Sequence, residues 1–138
     1  MTDKTELLKR TRLFVLDMDG TFYLGDRILP GAAEFLQAVK AAGKEYLFFT
    51  NNSSRSPRDY MTKLARMGCP ITRDEIMTSG DVTIRYLQTH CPDKTVYLVG
   101  TPPLEESFTE AGIRLVEKDP DMVVIGFDTT LTYEKLSK

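Results

Sequence analysis

Two aspartates separated by one residue follow the first apolar run of the sequence. Asp17 and Asp19 come directly after Leu13–Leu16, and Gly20 lets the backbone turn sharply behind them. Residues two apart in an extended chain point to the same side, so we expect the two carboxylates to be close. Such a pair supplies an ionised nucleophile beside a proton donor, or two hard oxygen ligands for Mg²⁺. A solvated turn, in which either aspartate caps the following residues, fits the same spacing.

A second polar segment, TNNSS, follows the second apolar run, Tyr46–Phe49. Ligands bind outside the carboxyl ends of parallel strands, so we expect Thr50 and Asn51 at the same sheet edge as Asp17. A hydroxyl, amides and backbone N–H groups at the approach to a helix suit phosphate oxygens. Taken alone, TNNSS is an ordinary turn and helix start. Together with DMDGT one strand earlier, it predicts a phosphate site.

Predicted strands and helices alternate along the chain on either side of these two polar segments. Helical patterns cover Ala32–Ala42, a segment beginning around Pro57, and Leu104–Ala111, and YLGDRILP suits a small hairpin. Continuous apolar runs without alternation indicate strands buried on both faces. We predict a mostly parallel α/β sheet. Four apolar runs are its predicted strands: Leu13–Leu16, Tyr46–Phe49, Val96–Val99 and Met122–Ile125.

The composition excludes several classes of protein. The 138 residues carry 18 basic and 20 acidic side chains, so the net charge of −2 provides no basic field for nucleic acid or anionic lipid. No apolar run approaches the roughly 20 residues of a membrane helix. Cys69 and Cys91 lack metal-site spacing and suit buried thiols in a reducing compartment. We therefore expect a cytoplasmic protein with neither nucleic acid nor membrane as a partner.

Other well-known ligand motifs do not match. An EF-hand loop has its glycine at position six, whereas Gly20 follows Asp19 directly. The first strand is not followed by the G-x-G-x-x-G of a dinucleotide site or the G-K-[ST] of a P-loop. His90 is the only histidine, which excludes a histidine metal cluster.

These motifs together resemble the haloacid dehalogenase superfamily of phosphohydrolases. DMDGT matches the first motif of that superfamily, and Thr50 with Asn51 matches the second. The longer pattern LFVLDMDGTFYLGDRILPGA, then FFTNNSSRS and TSGD, is similar to the NagD / nitrophenylphosphatase branch. The later segment from VYLVG to MVVIGFDTTLTYEKL looks like the start of that branch's α/β cap domain.

The resemblance implies a Rossmann-like core followed by a cap. Residues 1–82 would form the N-terminal part of the core, and residues 83–138 the beginning of the cap. A complete member also carries a third-motif lysine and an acidic GDxxxTD motif, neither of which this sequence contains. We therefore expect the chain to be truncated within the cap. Asp128 in IGFDTT matches the cap pattern and is not assigned to metal.

The resemblance also implies residue roles in hydrolysis of a small-molecule phosphate ester. Asp17 would attack phosphorus, and Asp19 would protonate the leaving alcohol and later activate water. Mg²⁺ would be held by a carboxylate oxygen of Asp17 and the backbone carbonyl of Asp19. Thr50 and the amide of Asn51 would hold the phosphoryl group. Further candidates for substrate contact are Asn52 and Arg55, although Arg55 also suits a solvated charge at a helix start.

Two alternatives remain open from the sequence. A receiver-type signalling module also phosphorylates an aspartate, but it needs a lysine after a late strand, where this chain has GTPP and GFDTT. A catalytically inert binding fragment is the other. A core that is truncated within the cap leaves apolar sheet surface uncovered, which predicts that the chain self-associates or binds a hydrophobic dye.

Overall fold

The computed structural model describes residues 3–138, and the chain divides into two compact units. The first unit contains the residues up to Phe49 together with Met61–Ile76. The second contains Thr50–Tyr60 and Met77–Lys138. Among residues 3–138, no helix has both the length and the apolar character needed to cross a bilayer.

The elements alternate in the order expected of an α/β protein. The strands are β1 (Leu13–Leu16), β2 (Tyr23–Leu24), β3 (Arg27–Ile28), β4 (Glu45–Thr50), β5 (Ile76–Thr78), β6 (Thr95–Val99), β7 (Arg114–Leu115) and β8 (Met122–Ile125). The α-helices are α1 (Lys4–Arg10), α2 (Ala32–Ala41), α3 (Pro57–Arg66), α4 (Ser79–His90), α5 (Pro102–Glu110) and α6 (Tyr133–Ser137). The four predicted strands and three predicted helices are therefore confirmed, within one or two residues at their ends.

Parallel pairing dominates the sheets, as the apolar runs predict. One three-stranded sheet has the order β1-β4-β5, and a second has the order β7-β6-β8. β1 and β4 run parallel with Leu16 opposite Phe48, and β6 runs parallel to both of its neighbours. β2 and β3 pair antiparallel and form a hairpin that turns at Gly25 and Asp26. The fold is thus a mostly parallel α/β architecture.

In the first unit, α2 and β4 supply apolar side chains from one face each. Leu36 and Val39 of α2 are three residues apart and both buried, as expected of an amphipathic helix. In β4, Tyr46 and Phe48 are buried and the intervening Leu47 is only partly buried. The ring of Phe48 meets Phe22 edge-on with 4.8 Å between centroids, so the segment after β1 packs on β4.

The second unit has its own apolar core beneath the β7-β6-β8 sheet. The helix α4 begins at a capping box, in which Thr78 accepts from the backbone of Asp81 and the Asp81 carboxylate accepts from the backbone of Thr78. This helix was not predicted, although its capping residues stand in the TSGD motif. The buried core residues are Ile84, Leu87, Val96, Leu98, Leu104 and Phe108.

The prediction that every apolar run is buried on both faces is wrong for β1 and β8. Both are edge strands, and in each only one face is packed. Phe14 of β1 meets the ring of Phe35 in α2, whereas Val15 on the opposite face is 60% exposed. In β8, Met122 and Val124 pack on the core and Ile125 is 74% exposed. Packed and exposed side chains alternate along both strands. The sequence does not reveal this alternation, because both faces carry apolar residues.

The Asp121 carboxylate ties the starts of β6 and β8 together. It accepts hydrogen bonds from the Thr95 backbone N–H at 2.8 Å, from the Thr95 hydroxyl at 2.9 Å and from Lys94 Nζ at 3.2 Å. The Thr95 backbone N–H, followed by the Thr95 hydroxyl and the Lys94 ammonium, lowers the pKa of Asp121 to about 2.

We expect acid to remove the stabilising contribution of Asp121. Its folded pKa lies below the unfolded value, so the contribution is complete above about pH 4 and disappears as the pH falls towards 2. The free energy of unfolding of Asp121→Asn, measured with urea from pH 6 to pH 2, should approach that of the wild type at the acidic end. Asp119→Asn is the control, since Asn tolerates the positive φ of 47° there. A constant difference between wild type and Asp121→Asn across this range would refute the prediction.

Candidate active site

The acidic pair stands at the carboxyl end of β1. Asp17 follows the last strand residue, Leu16, and both Asp17 and Asp19 are exposed. Between them Met18 is 0% exposed and anchors the segment in the core of the first unit. The buried methionine therefore holds the backbone while the two carboxylates remain accessible to a ligand.

A tight turn that follows Asp17 and Asp19 fixes the backbone conformation of the DMDGT segment. The carbonyl oxygen of Met18 accepts from the N–H groups of Thr21, Phe22 and Tyr23 at 3.2, 2.9 and 3.3 Å. Gly20 has a φ of +81°, which side chains rarely allow, and its N–H donates to the Tyr23 carbonyl at 2.8 Å. The glycine of DMDGT is thus required by the turn itself.

Two further side chains support this segment, and the sequence interpretation missed their roles. The Thr21 hydroxyl lies 3.4 Å from Asp17 Oδ2 and donates a long hydrogen bond to it. Lys63 Nζ in α3 lies 4.1 Å from the ring centroid of the buried Tyr23. The threonine of DMDGT could have indicated the contact between Thr21 and Asp17. No pattern in the neighbouring sequence indicates that Lys63 contacts Tyr23.

The second polar loop begins at the end of β4, within the second unit. Thr50 is 1% exposed, and its hydroxyl accepts from the N–H of Asn52 at 3.2 Å. Asn52 Oδ1 accepts from the N–H of Ser54 at 2.9 Å and from its hydroxyl at 2.7 Å. Asn51 and Arg55 are exposed. The side-chain oxygen of Asn52 is thus engaged within the loop.

The loop ends where α3 begins at Pro57, as predicted. The Asp59 carboxylate accepts from the N–H and the hydroxyl of Ser56, both at 2.9 Å, and the N–H of Asp59 donates to the Ser56 hydroxyl at 3.2 Å. These bonds satisfy the first donors of the helix, and proline has no N–H to lose there.

The predicted site residues fall into the two units. Asp17 and Asp19 belong to the first unit, whereas Thr50, Asn51, Asn52 and Arg55 belong to the second. Both loops leave the carboxyl ends of strands, and those strands, β1 and β4, are parallel neighbours.

The two aspartates are a minimal donor set for a metal. Among residues 3–138, no three histidine, cysteine or acidic side chains gather into a group able to hold an ion. Mg²⁺ commonly binds one or two carboxylates and completes its shell with waters and phosphate oxygens. The exposed carboxylate of Asp17 and the carbonyl of Asp19 are oxygen donors of this kind, so the residues present fit Mg²⁺ chemically.

Asp128 has a structural partner. Its side chain is 2% exposed, and its carboxylate accepts from the N–H and hydroxyl of Thr130 at 2.7 Å each and pairs with Lys135 Nζ at 2.8 Å. Burial acts to raise the pKa of Asp128, but the bonds from Lys135 and Thr130 outweigh it and leave the pKa below its usual value. The Lys135 ammonium also donates to the carbonyl of Gly100 at 2.8 Å. Asp128 therefore braces the second unit.

A protein-family model described as haloacid dehalogenase-like hydrolase matches residues 14–114, which include both polar loops. The chain belongs to the haloacid dehalogenase-like hydrolase family. The expected family and its α/β fold are thus confirmed.

Three proteins that are similar to the chain are phosphatases. The chain is 35% identical to the acid sugar phosphatase of Staphylococcus saprophyticus over 131 residues, covering 94% of this chain and 51% of that protein. The chain is 46% identical to 4-nitrophenylphosphatase from Thermotoga maritima and matches its crystal structure with a TM-score of 0.91. The match covers 95% of this chain and 50% of that one. The glycerol phosphate phosphatase of Mycobacterium tuberculosis, solved in complex with magnesium, is 32% identical with a TM-score of 0.78, covering 91% and 38%. The chain spans about half the length of the curated relatives it matches.

Proposed function

We propose that this chain carries the nucleophile and the first phosphate-binding loop of a Mg²⁺-dependent phosphomonoester hydrolase. The observation that carries the proposal is the accessible Asp17–Asp19 pair, held by a buried methionine and a glycine turn at the end of β1. The phosphatase relatives support the same chemistry.

In this proposal Asp17 attacks the phosphorus atom, and the bond to the leaving alkoxide breaks as an aspartyl-phosphate forms. Asp19 gives its proton to the leaving oxygen and later takes a proton from the water that hydrolyses the acyl phosphate. Phosphoryl transfer leaves the protein mainly positioning and charge stabilisation to perform, which suits a short carboxylate motif on a rigid turn.

Thr50 and the backbone of Asn51 would bind the transferring phosphoryl group, with Asn52 and Arg55 near the remainder of a small phosphate ester. Mg²⁺ would be held by the carboxylate of Asp17 and the carbonyl of Asp19, and it supplies positive charge against the phosphate oxygens. We also propose that residues 1–82 belong to the catalytic core and residues 83–138 to the beginning of a cap.

Release of phosphate from p-nitrophenyl phosphate by the 138-residue chain tests the proposal. We expect release in the presence of Mg²⁺, loss of release after chelation with EDTA, and recovery when excess Mg²⁺ is returned. A long-lived acyl phosphate without turnover would instead favour a receiver-type module. Absence of both turnover and phosphorylation would favour an inert binding fragment.

A further inference from the structure

Side chains from later in the sequence hold the loop Thr50–Ser54 by its backbone. The hydroxyl of Thr101, which follows β6, donates to the carbonyl oxygen of Ser54 at 2.9 Å. The hydroxyl of Ser79, the first residue of α4, donates to the carbonyl oxygen of Asn51 at 3.0 Å. Both ends of the loop are therefore fixed by hydroxyl groups of the second unit.

A third bond holds the middle of the loop. The hydroxyl of Ser53 accepts from the backbone N–H of Phe127, just after β8, at 2.7 Å. A Cβ at Gly126 would lie 3.2 Å from Ser53 Oγ and 2.7 Å from Leu104 Cδ2. The glycine leaves the space through which the Ser53 hydroxyl reaches the strand end.

Thr101 donates its hydroxyl to Ser54 and does not use it to cap helix α5. It occupies the N-cap position of α5, where a threonine hydroxyl commonly accepts from the first N–H groups of the helix, yet its side chain makes no capping bond. The residue is 2% exposed, and its hydroxyl is directed to Ser54. The Thr101 hydroxyl therefore holds the loop and leaves the first turn of α5 without a side-chain cap.

We propose that Thr101 and Ser79 are positioning residues for phosphate binding. By holding the carbonyls of Ser54 and Asn51, they fix the backbone between them, so that its N–H groups need no reordering when a phosphoryl group binds. This inference rests on the proposed function, because the proposed function assigns phosphate to the loop as its ligand.

The test is titration of the 138-residue chain with inorganic phosphate in the presence of Mg²⁺, followed by the NMR shifts of the Asn51 and Asn52 amides. Thr101→Val removes the hydroxyl at nearly constant shape, and we expect phosphate affinity to fall about 3- to 10-fold. Thr101→Ser restores the hydroxyl and should stay within about two-fold of the wild type.

Ser79→Ala is the second variant, which keeps the inference testable if Thr101→Val does not fold, and it should also weaken phosphate binding. Thr109→Val is the matched control, since the Thr109 hydroxyl donates to the Glu105 carbonyl at 2.9 Å within α5 and not to the loop. Its phosphate affinity should equal that of the wild type. Urea unfolding of each variant separates a loss of stability from a loss of binding.

The outcomes distinguish the inference from the proposed function. If the wild type binds phosphate and the folded Thr101→Val and Ser79→Ala variants bind it equally well, the positioning roles are refuted while the function stands. If the wild type itself binds no phosphate, the proposed function fails and the positioning roles fail with it.

Discussion

Asp17→Asn should lower the rate of phosphate release by at least about 1,000-fold, because a neutral amide cannot form the aspartyl-phosphate. The accessible carboxylate at the end of β1 is the proposed nucleophile, and Asn preserves its size and its contact with Thr21. Initial rates with p-nitrophenyl phosphate and Mg²⁺ measure the loss. Mass spectrometry after acid quenching should detect one added phosphoryl group on the wild type and none on the variant.

Asp26→Asn is the matched control for this experiment. Asp26 is an exposed aspartate in the β2–β3 turn, and its replacement should leave the rate unchanged. Asp19→Asn should leave the nucleophile in place but remove the proton donor, so we expect slow turnover with the phosphorylated chain still detectable. A wild-type rate in Asp17→Asn would refute the assignment of the nucleophile.

The exposed face of β8 should make this chain associate with itself. Val123 is exposed alongside Ile125 on one face of β8, which is an edge strand of the β7-β6-β8 sheet among residues 3–138. We expect the chain to bind a hydrophobic dye and to form dimers or larger species in sedimentation at micromolar concentration. Replacing both residues with Thr keeps β propensity and should raise the dissociation constant at least about 10-fold.

Val82→Thr is the control for self-association. Val82 is an exposed apolar residue that belongs to α4 and not to the edge strand, so its replacement should not change the sedimentation profile. A monodisperse wild-type monomer that binds no dye and unfolds cooperatively would contradict the prediction.

Local patterns were sufficient for β1, β4, β6 and β8, for the β2–β3 hairpin and for the residues of the two loops, but not for the short strands β5 and β7. The apolar runs before DMDGT and TNNSS are β1 and β4, and the Gly-Asp pair in YLGDRILP is the turn of a hairpin. These features depend on residues near one another in the chain, so periodicity and turn chemistry reveal them. The local patterns do not predict helix α4, because its capping box, Thr78 with Asp81, lies inside the TSGD motif.

Residue types and their order in the chain are enough to propose which side chains carry the chemistry: the carboxylates of Asp17 and Asp19, and the hydroxyl and amides of the Thr50 loop. The contacts that support these loops, and the apolar surface that remains uncovered, depend on the tertiary structure. Thr101 reaches Ser54 across 47 residues, Lys63 reaches Tyr23, and one face of β1 and β8 stays exposed. Side-chain chemistry is a property of each residue, whereas contacts and burial depend on which distant segments fold against it.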